Sequence, residues 1–276
     1  TDTHTQASTP VSVLPAGVLL KLGTYGMLRF GLQLFPEAWA KLAPVLAIWA
    51  AISVLYGSLA AIAQTDMKRM VAYSSVGHMG YVLLAAAADT PVSLLGAVFQ
   101  MVSHGLISAL LFLLVGIVYR KTGTRDLEVL RGLLNPEKGL PFTGSLMIVA
   151  VMASAGLPGM AGFISEFLVF RGSIAVYPVA TLLSMVGSGL TAVYFLLLVN
   201  RAFFGRLAIT PPSADALADA RLDVQLAPVA PRETIPAVAL AAAVVLLGLW
   251  PSSLGRLSEV ATSALARLTA LPGGVG

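Results

Sequence analysis

The chain contains no cysteine among its 276 residues. That excludes disulfides, thiolate-held iron–sulfur clusters and cysteine nucleophiles within it. Histidine is scarce: the three, at positions 4, 78 and 104, lack the local spacing of a zinc or haem site. No glycine-rich phosphate loop follows a strand pattern. Ser103 and His104 are sequence neighbours, and neighbours on a helix diverge, so they form no nucleophile–base pair. The largest deficit is in charge. Only 11% of residues are charged, against about 25% in an ordinary soluble domain. The formal net charge of +4 needs no nucleic acid to account for it, because the basic residues crowd into connectors.

Apolar residues fill the space that charge vacates. They make up 57% of the chain, and the mean hydropathy is +0.87. The apolar runs are long and rich in Leu, Ala and Val, so the expected fold is an all-α integral membrane protein. Seven runs are long enough to span: 11–34, 42–64, 69–88, 91–119, 141–172, 177–204 and 235–255. The fifth is overlong, as a discontinuous span would be. Residues 1–276 read as a single membrane domain, with a loop at 206–233 and an amphipathic C-terminal tail at 256–276 carrying Arg256, Glu259 and Arg267. The connector Arg120–Lys138 is expected to hold a short surface helix, Arg125–Leu133. The chain opens on Thr1 in a polar turn, without Met or a signal-peptide pattern, and is expected to be a fragment.

Basic residues alternate from connector to connector. Lys68 and Arg69 follow the second span, Arg120, Lys121, Arg125, Arg131 and Lys138 the fourth, and Arg201, Arg206, Arg221 and Arg232 the sixth. The intervening connectors hold only Lys41, none, and Arg171. The positive-inside rule then places the basic connectors and the start of the chain on the cytoplasmic side, with the tail opposite.

The stretch from Ser145 to Arg171, SLMIVAVMASAGLPGMAGFISEFLVFR, is the one around which the chain is organised. Gly156, Pro158 and Gly159 should break its helix. Glu166 follows among Phe163, Phe167 and Phe170. Broken backbone at membrane depth is tolerated only where protein or a wet cavity satisfies it. Three other ionisable groups fall inside spans: Lys21, His78 and His104. A charged side chain at mid-span costs about 2.5–3.5 kcal/mol to insert, so four on four helices suggest a shared polar path. Gln100, His104 and Ser108 recur every four residues and share a face. Plainer readings stay open for each: a snorkelling Lys21, packing histidines, an interfacial Glu166 beside a simple connector.

Four segments carry a resemblance: DTHTQASTPVSVLPAGVLLKLGTYGMLR, AQTDMKRMVAYSSVGHMGYVLL, QMVSHGLISALLFLLVG and LPGMAGFISEFLVFRG. Together they resemble the antiporter-like membrane subunits of respiratory complex I, of the NAD(P)H-quinone oxidoreductase chain 4 type and cyanobacterial in texture. The resemblance implies a fourteen-helix fold of two inverted five-helix repeats, of which this chain would be helices eight to fourteen. Residues 42–204 would be the complete second repeat. It further implies a proton relay formed by Lys21, His78, His104 and Glu166, driven by quinone reduction elsewhere. NAD(P)H or ferredoxin, iron–sulfur clusters and a quinone such as plastoquinone would then belong to other subunits. None would bind here. The implied partners are other membrane subunits and the bilayer, with no nucleic acid, in a thylakoid or bacterial inner membrane. The chain departs from the family at Pro15, where leucine is usual, and the first repeat is missing. The rival readings are a multisubunit Na⁺/H⁺ antiporter subunit and a membrane spacer that conducts nothing.

Overall fold

The structure, a computed structural model, describes residues 6–209 and 226–270. It is a bundle of membrane-length helices. Six are long and apolar enough to cross a membrane: α1 (Thr9–Leu32), α2 (Pro36–Ile62), α3 (Met67–Ala88), α4 (Pro91–Thr122), α7 (Pro178–Phe203) and α8 (Pro231–Leu249). Between α4 and α7 lie two half-length helices, α5 (Pro141–Ser154) and α6 (Ala161–Ser173). End to end they supply one further, broken crossing. A surface helix, α9 (Ser252–Ala270), completes the described chain.

Local chemistry fixes the boundaries. Asp66 caps α3 by accepting from the amides of Lys68 and Arg69. Thr90 and Ser93 form a reciprocal capping box around Pro91 at the start of α4. That helix stops at Gly123, whose φ of 76° lies in the left-handed region. The second span begins at Pro36, earlier than apolarity alone suggests, because proline suits the first helical turn. The last ends at Leu249: Pro251 cannot continue it, and α9 starts afresh at Ser252.

The helix expected over Arg125–Leu133 does not form. Residues 127–129 are a turn, and Leu130–Arg131 is a two-residue strand, β1, paired antiparallel with β2 (Ala208–Ile209). Two causes are visible. The Asp126 side chain accepts from Glu128 N–H at 2.9 Å, and Gly132 takes a φ of 70°. Both divert the backbone, while Leu127, Leu130 and Leu133 bury into the core. Residues 206–209 and 226–230 bracket the expected loop at 206–233. Its middle, 210–225, and the chain ends 1–5 and 271–276 lie outside the described residues.

All three basic connectors gather at one end of the bundle. Arg125 pairs with Asp66 at 2.6 Å, and Met67 N–H bonds Arg125 C=O at 3.0 Å. Lys121 donates to Pro228 C=O at 2.7 Å, and Arg120 pairs with Glu233 at 2.5 Å. The Lys68 ammonium reaches back to Ala7 C=O at 2.5 Å. The opposite end is held by neutral bonds: Trp39 Nε1–H to Ala86 C=O, and Thr90 O–H to Gly172 C=O, each at 3.0 Å.

α3 and α4 form the centre and are largely buried. α1, α2, α7 and α8 surround them and present apolar residues outward, among them Leu22, Trp49, Leu182 and Leu246. Exposed apolar faces of this extent suit lipid or a partner subunit. Small residues set the closest approaches. A Cβ on Gly105 of α4 would sit 2.9 Å from Gly17 C=O of α1, so only glycine permits that crossing. It brings the middle of α1 against α4.

Candidate functional site

The four ionisable residues lie in one row. Lys21 sits half-buried on α1, just beyond a stretch where hydrogen bonding slips from α to π over Pro15–Leu19. Pro15 has no N–H and crowds the carbonyl four residues earlier, and the slip absorbs that mismatch. Leu20 N–H bonds Pro15 C=O, five residues back. The Ala16 carbonyl turns to the interior, where it accepts from the Lys21 ammonium and from Ser108 O–H, the latter at 3.2 Å. So Pro15 shapes the surroundings of Lys21.

The Lys21 ammonium lies 2.7 Å from His104 Nδ1 on α4. The His104 ring faces the His78 ring of α3 with centroids 5.3 Å apart. His78 Nδ1 is 2.8 Å from Ser74 C=O, one turn back. A carbonyl only accepts, so Nδ1 carries the proton and Nε2 is the exchanging face. His78 Nε2 lies 3.9 Å from Glu166 Oε1 on α6. Ser154, the last residue of α5, places its hydroxyl 3.5 Å and its carbonyl 3.4 Å from the same nitrogen: the hydroxyl donates to a bare Nε2, and the carbonyl accepts once Nε2 is protonated. His78, His104 and Glu166 are each at most 5% exposed.

The helix break shapes the far end of the row. Gly156 and Gly159 take φ of 74° and 91°, values reserved in practice for glycine. A Cβ on Gly156 would stand 3.1 Å from Glu166 Oε2, so the glycine also leaves room for the carboxylate. Pro158 lies in the same turn. Gly162 lets α6 touch α5: a Cβ there would overlap Ala153 C=O at 2.0 Å. Ser188 of α7 donates to Glu166 Oε2 at 2.6 Å. Glu166 Oε1 and Gln100 Oε1 have no hydrogen-bond partner among the described residues. Both residues line a cavity of about 10 Å³ together with His78, Ser103, His104 and Ser154. That is room for about one water.

Reading the sequence missed Ser188, Ser154 and the Ala16 carbonyl. A lone serine in an apolar helix looks like packing glue, and a freed carbonyl has no sequence signature. No group of three or more His, Cys, Asp or Glu with metal-holding geometry occurs among the described residues.

A bundle with a discontinuous helix and a buried row of ionisable groups across four helices defines an integral membrane protein of the broken-helix class. Its family follows from comparison: the chain belongs to the NADH:quinone oxidoreductase/Mrp antiporter membrane family, whose model matches residues 1–191. It is 42% identical over 271 residues to NAD(P)H-quinone oxidoreductase chain 4 1 of Synechococcus elongatus, covering 96% of this chain and 48% of that protein. It is 45% identical over 206 residues to NADH-quinone oxidoreductase subunit M of Escherichia coli, covering 74% of this chain and 40% of that protein. The chain thus spans about half the length of the curated relatives it matches, their C-terminal half. Among solved structures it resembles a chain of respiratory complex I from Thermus thermophilus with a TM-score of 0.82 and 29% identity, over 93% of this chain and 50% of that one. A chain of the Mrp complex from Dietzia shares the fold, with a TM-score of 0.84 at 23% identity, over 97% of this chain and 55% of that one.

Proposed function

We propose that the chain is a proton-translocating half-channel within an antiporter-like subunit of a NAD(P)H-quinone oxidoreductase complex. Lys21, His104, His78 and Glu166 form the relay, in that spatial order. The observation that carries this reading is the row itself: 2.7 Å from Lys21 to His104, a 5.3 Å ring pair, then 3.9 Å from His78 to Glu166.

The chemistry follows from those separations. Two like charges at the Lys21–His104 distance would repel by about 6 kcal/mol at an effective dielectric of about 20. One excess proton is therefore shared across that contact, and charging one partner expels the proton from the other. A proton arriving at His78 Nε2 makes an imidazolium facing a carboxylate across the small cavity. A water there takes that proton as it gives one of its own to Glu166, so the water is regenerated. Moving one proton against the membrane potential costs about 2.3 kcal/mol per 100 mV. Quinone reduction in other subunits supplies it. There NAD(P)H or ferredoxin is the donor and plastoquinone the acceptor suited to a thylakoid setting. The sequence relatives, several of them cyanobacterial, support this assignment.

The shared fold with the Mrp complex sustains a second reading, a multisubunit Na⁺/H⁺ antiporter subunit. One experiment separates them. The full-length protein, isolated with its native partners, should co-purify with iron–sulfur and quinone-reducing subunits and lose proton uptake into vesicles when Lys21→Met is introduced. Co-purification with small membrane subunits alone, with Na⁺-dependent exchange, would overturn the oxidoreductase assignment. Unchanged proton uptake in Lys21→Met would overturn the relay.

A further inference from the structure

A second polar row meets the relay at Glu166. Ser188 holds Glu166 Oε2 at 2.6 Å, a length typical of a hydroxyl on a charged carboxylate. Tyr194 of the same helix donates to Thr191 Oγ1 at 3.3 Å. Tyr81 and Tyr194 are each only 1% exposed. A fully buried phenol is expensive unless its hydroxyl is used.

Tyr81 also packs edge-on against the His78 ring, with centroids 5.8 Å apart, and against Phe170 of α6 at 5.5 Å. Two side chains therefore hold the groups that flank the 3.9 Å gap: the Tyr81 ring packs on His78, and Ser188 binds Glu166. The geometry points to Tyr81 and Ser188 as positioning residues that set the His78–Glu166 separation and aim Glu166 Oε1 into the cavity. This rests on the relay proposed above and adds what holds its narrowest step in place. Neither residue exchanges a proton with the relay. The Ser188 hydroxyl donates to Oε2 whether Oε1 is bare or carries the proton, so it holds Oε2 in both states.

The test uses the assembled full-length complex in vesicles. Tyr81→Leu removes the ring that packs on His78 and Phe170. Ser188→Ala removes the bond to Glu166, and Ser188→Thr keeps it. Proton uptake should fall about three- to tenfold in Tyr81→Leu and about ten- to a hundredfold in Ser188→Ala, and recover in Ser188→Thr. The double variant should be no slower than Ser188→Ala, because both changes act on the one His78–Glu166 gap. Infrared difference spectra should show the carboxyl band that disappears in Glu166→Gln displaced in Ser188→Ala and restored in Ser188→Thr. If Glu166→Gln abolishes uptake while Tyr81→Leu and Ser188→Ala leave both rate and band unchanged, the positioning role is refuted and the relay stands. If Glu166→Gln itself pumps normally, the relay falls first.

Discussion

Replacing Glu166 by glutamine or aspartate probes the narrowest part of the site with calculable consequences. Glutamine preserves the volume and can still accept from Ser188, but it cannot take a proton from His78. Complex assembly should stay intact, and proton pumping with its coupled quinone reduction should collapse. Aspartate retains the acid and withdraws it by one carbon–carbon bond, about 1.5 Å. The present gaps are 3.9 Å to His78 and 2.6 Å to Ser188. The first would widen to about 5 Å, which one water spans with two ordinary hydrogen bonds of about 2.8 Å each. The second would pass beyond bonding distance. Losing a hydrogen bond to a charged group costs about 1.5–3 kcal/mol. Each 1.36 kcal/mol placed on the barrier is about tenfold in rate. Aspartate should therefore slow the transfer step by about ten- to a hundredfold and leave measurable pumping. The assay is proton uptake by vesicles holding purified complex, followed with a pH-sensitive dye beside quinone reduction. Glu166→Gln complex that pumps at the wild-type rate would make Glu166 a structural acid and end the argument.

Three further expectations test other parts of the chain. Single cysteines introduced into the otherwise cysteine-free chain at the basic connector 120–138 and at Asp89 should label from opposite faces of the membrane, with the connector cytoplasmic; labelling of both from one side would overturn the topology. Gly162→Ala should drive a methyl group into Ala153 C=O, part α5 from α6 and cost about 1–3 kcal/mol, measurable as earlier thermal unfolding in detergent together with lost pumping. Asp66→Ala removes the cap of α3 and the partner of Arg125. The cap is worth about 1 kcal/mol and the partly exposed ion pair at most about 1 more, so a modest fall in thermal stability with pumping largely retained is the expected result.

Much of this protein is set by one-dimensional information. Bilayer thickness demands long apolar helices, so the spans stand out from Leu, Ala and Val runs without any partner chain. The break at Gly156–Gly159 is equally local, because missing Cβ atoms and a missing donor act wherever they occur. An ionisable residue inside an apolar run is conspicuous for the same reason, which is why Lys21, His78, His104 and Glu166 could all be singled out. Other features depend on what the chain meets after it folds. The Arg125–Leu133 stretch has helical apolar spacing, yet its leucines are drawn into the core and its edge pairs with Ala208–Ile209, a partner almost eighty residues away. Ser188 and Tyr81 look like ordinary packing residues until α7 brings the serine hydroxyl to Glu166 and α6 brings Phe170 against the tyrosine ring. The order of the buried ionisable row is also a tertiary decision. Along the chain His78 comes between Lys21 and His104, but in space His104 comes between the other two. Gly17 and Gly105 let α1 and α4 approach to backbone contact, and that crossing, invisible in either helix alone, delivers the lysine to the more distant histidine.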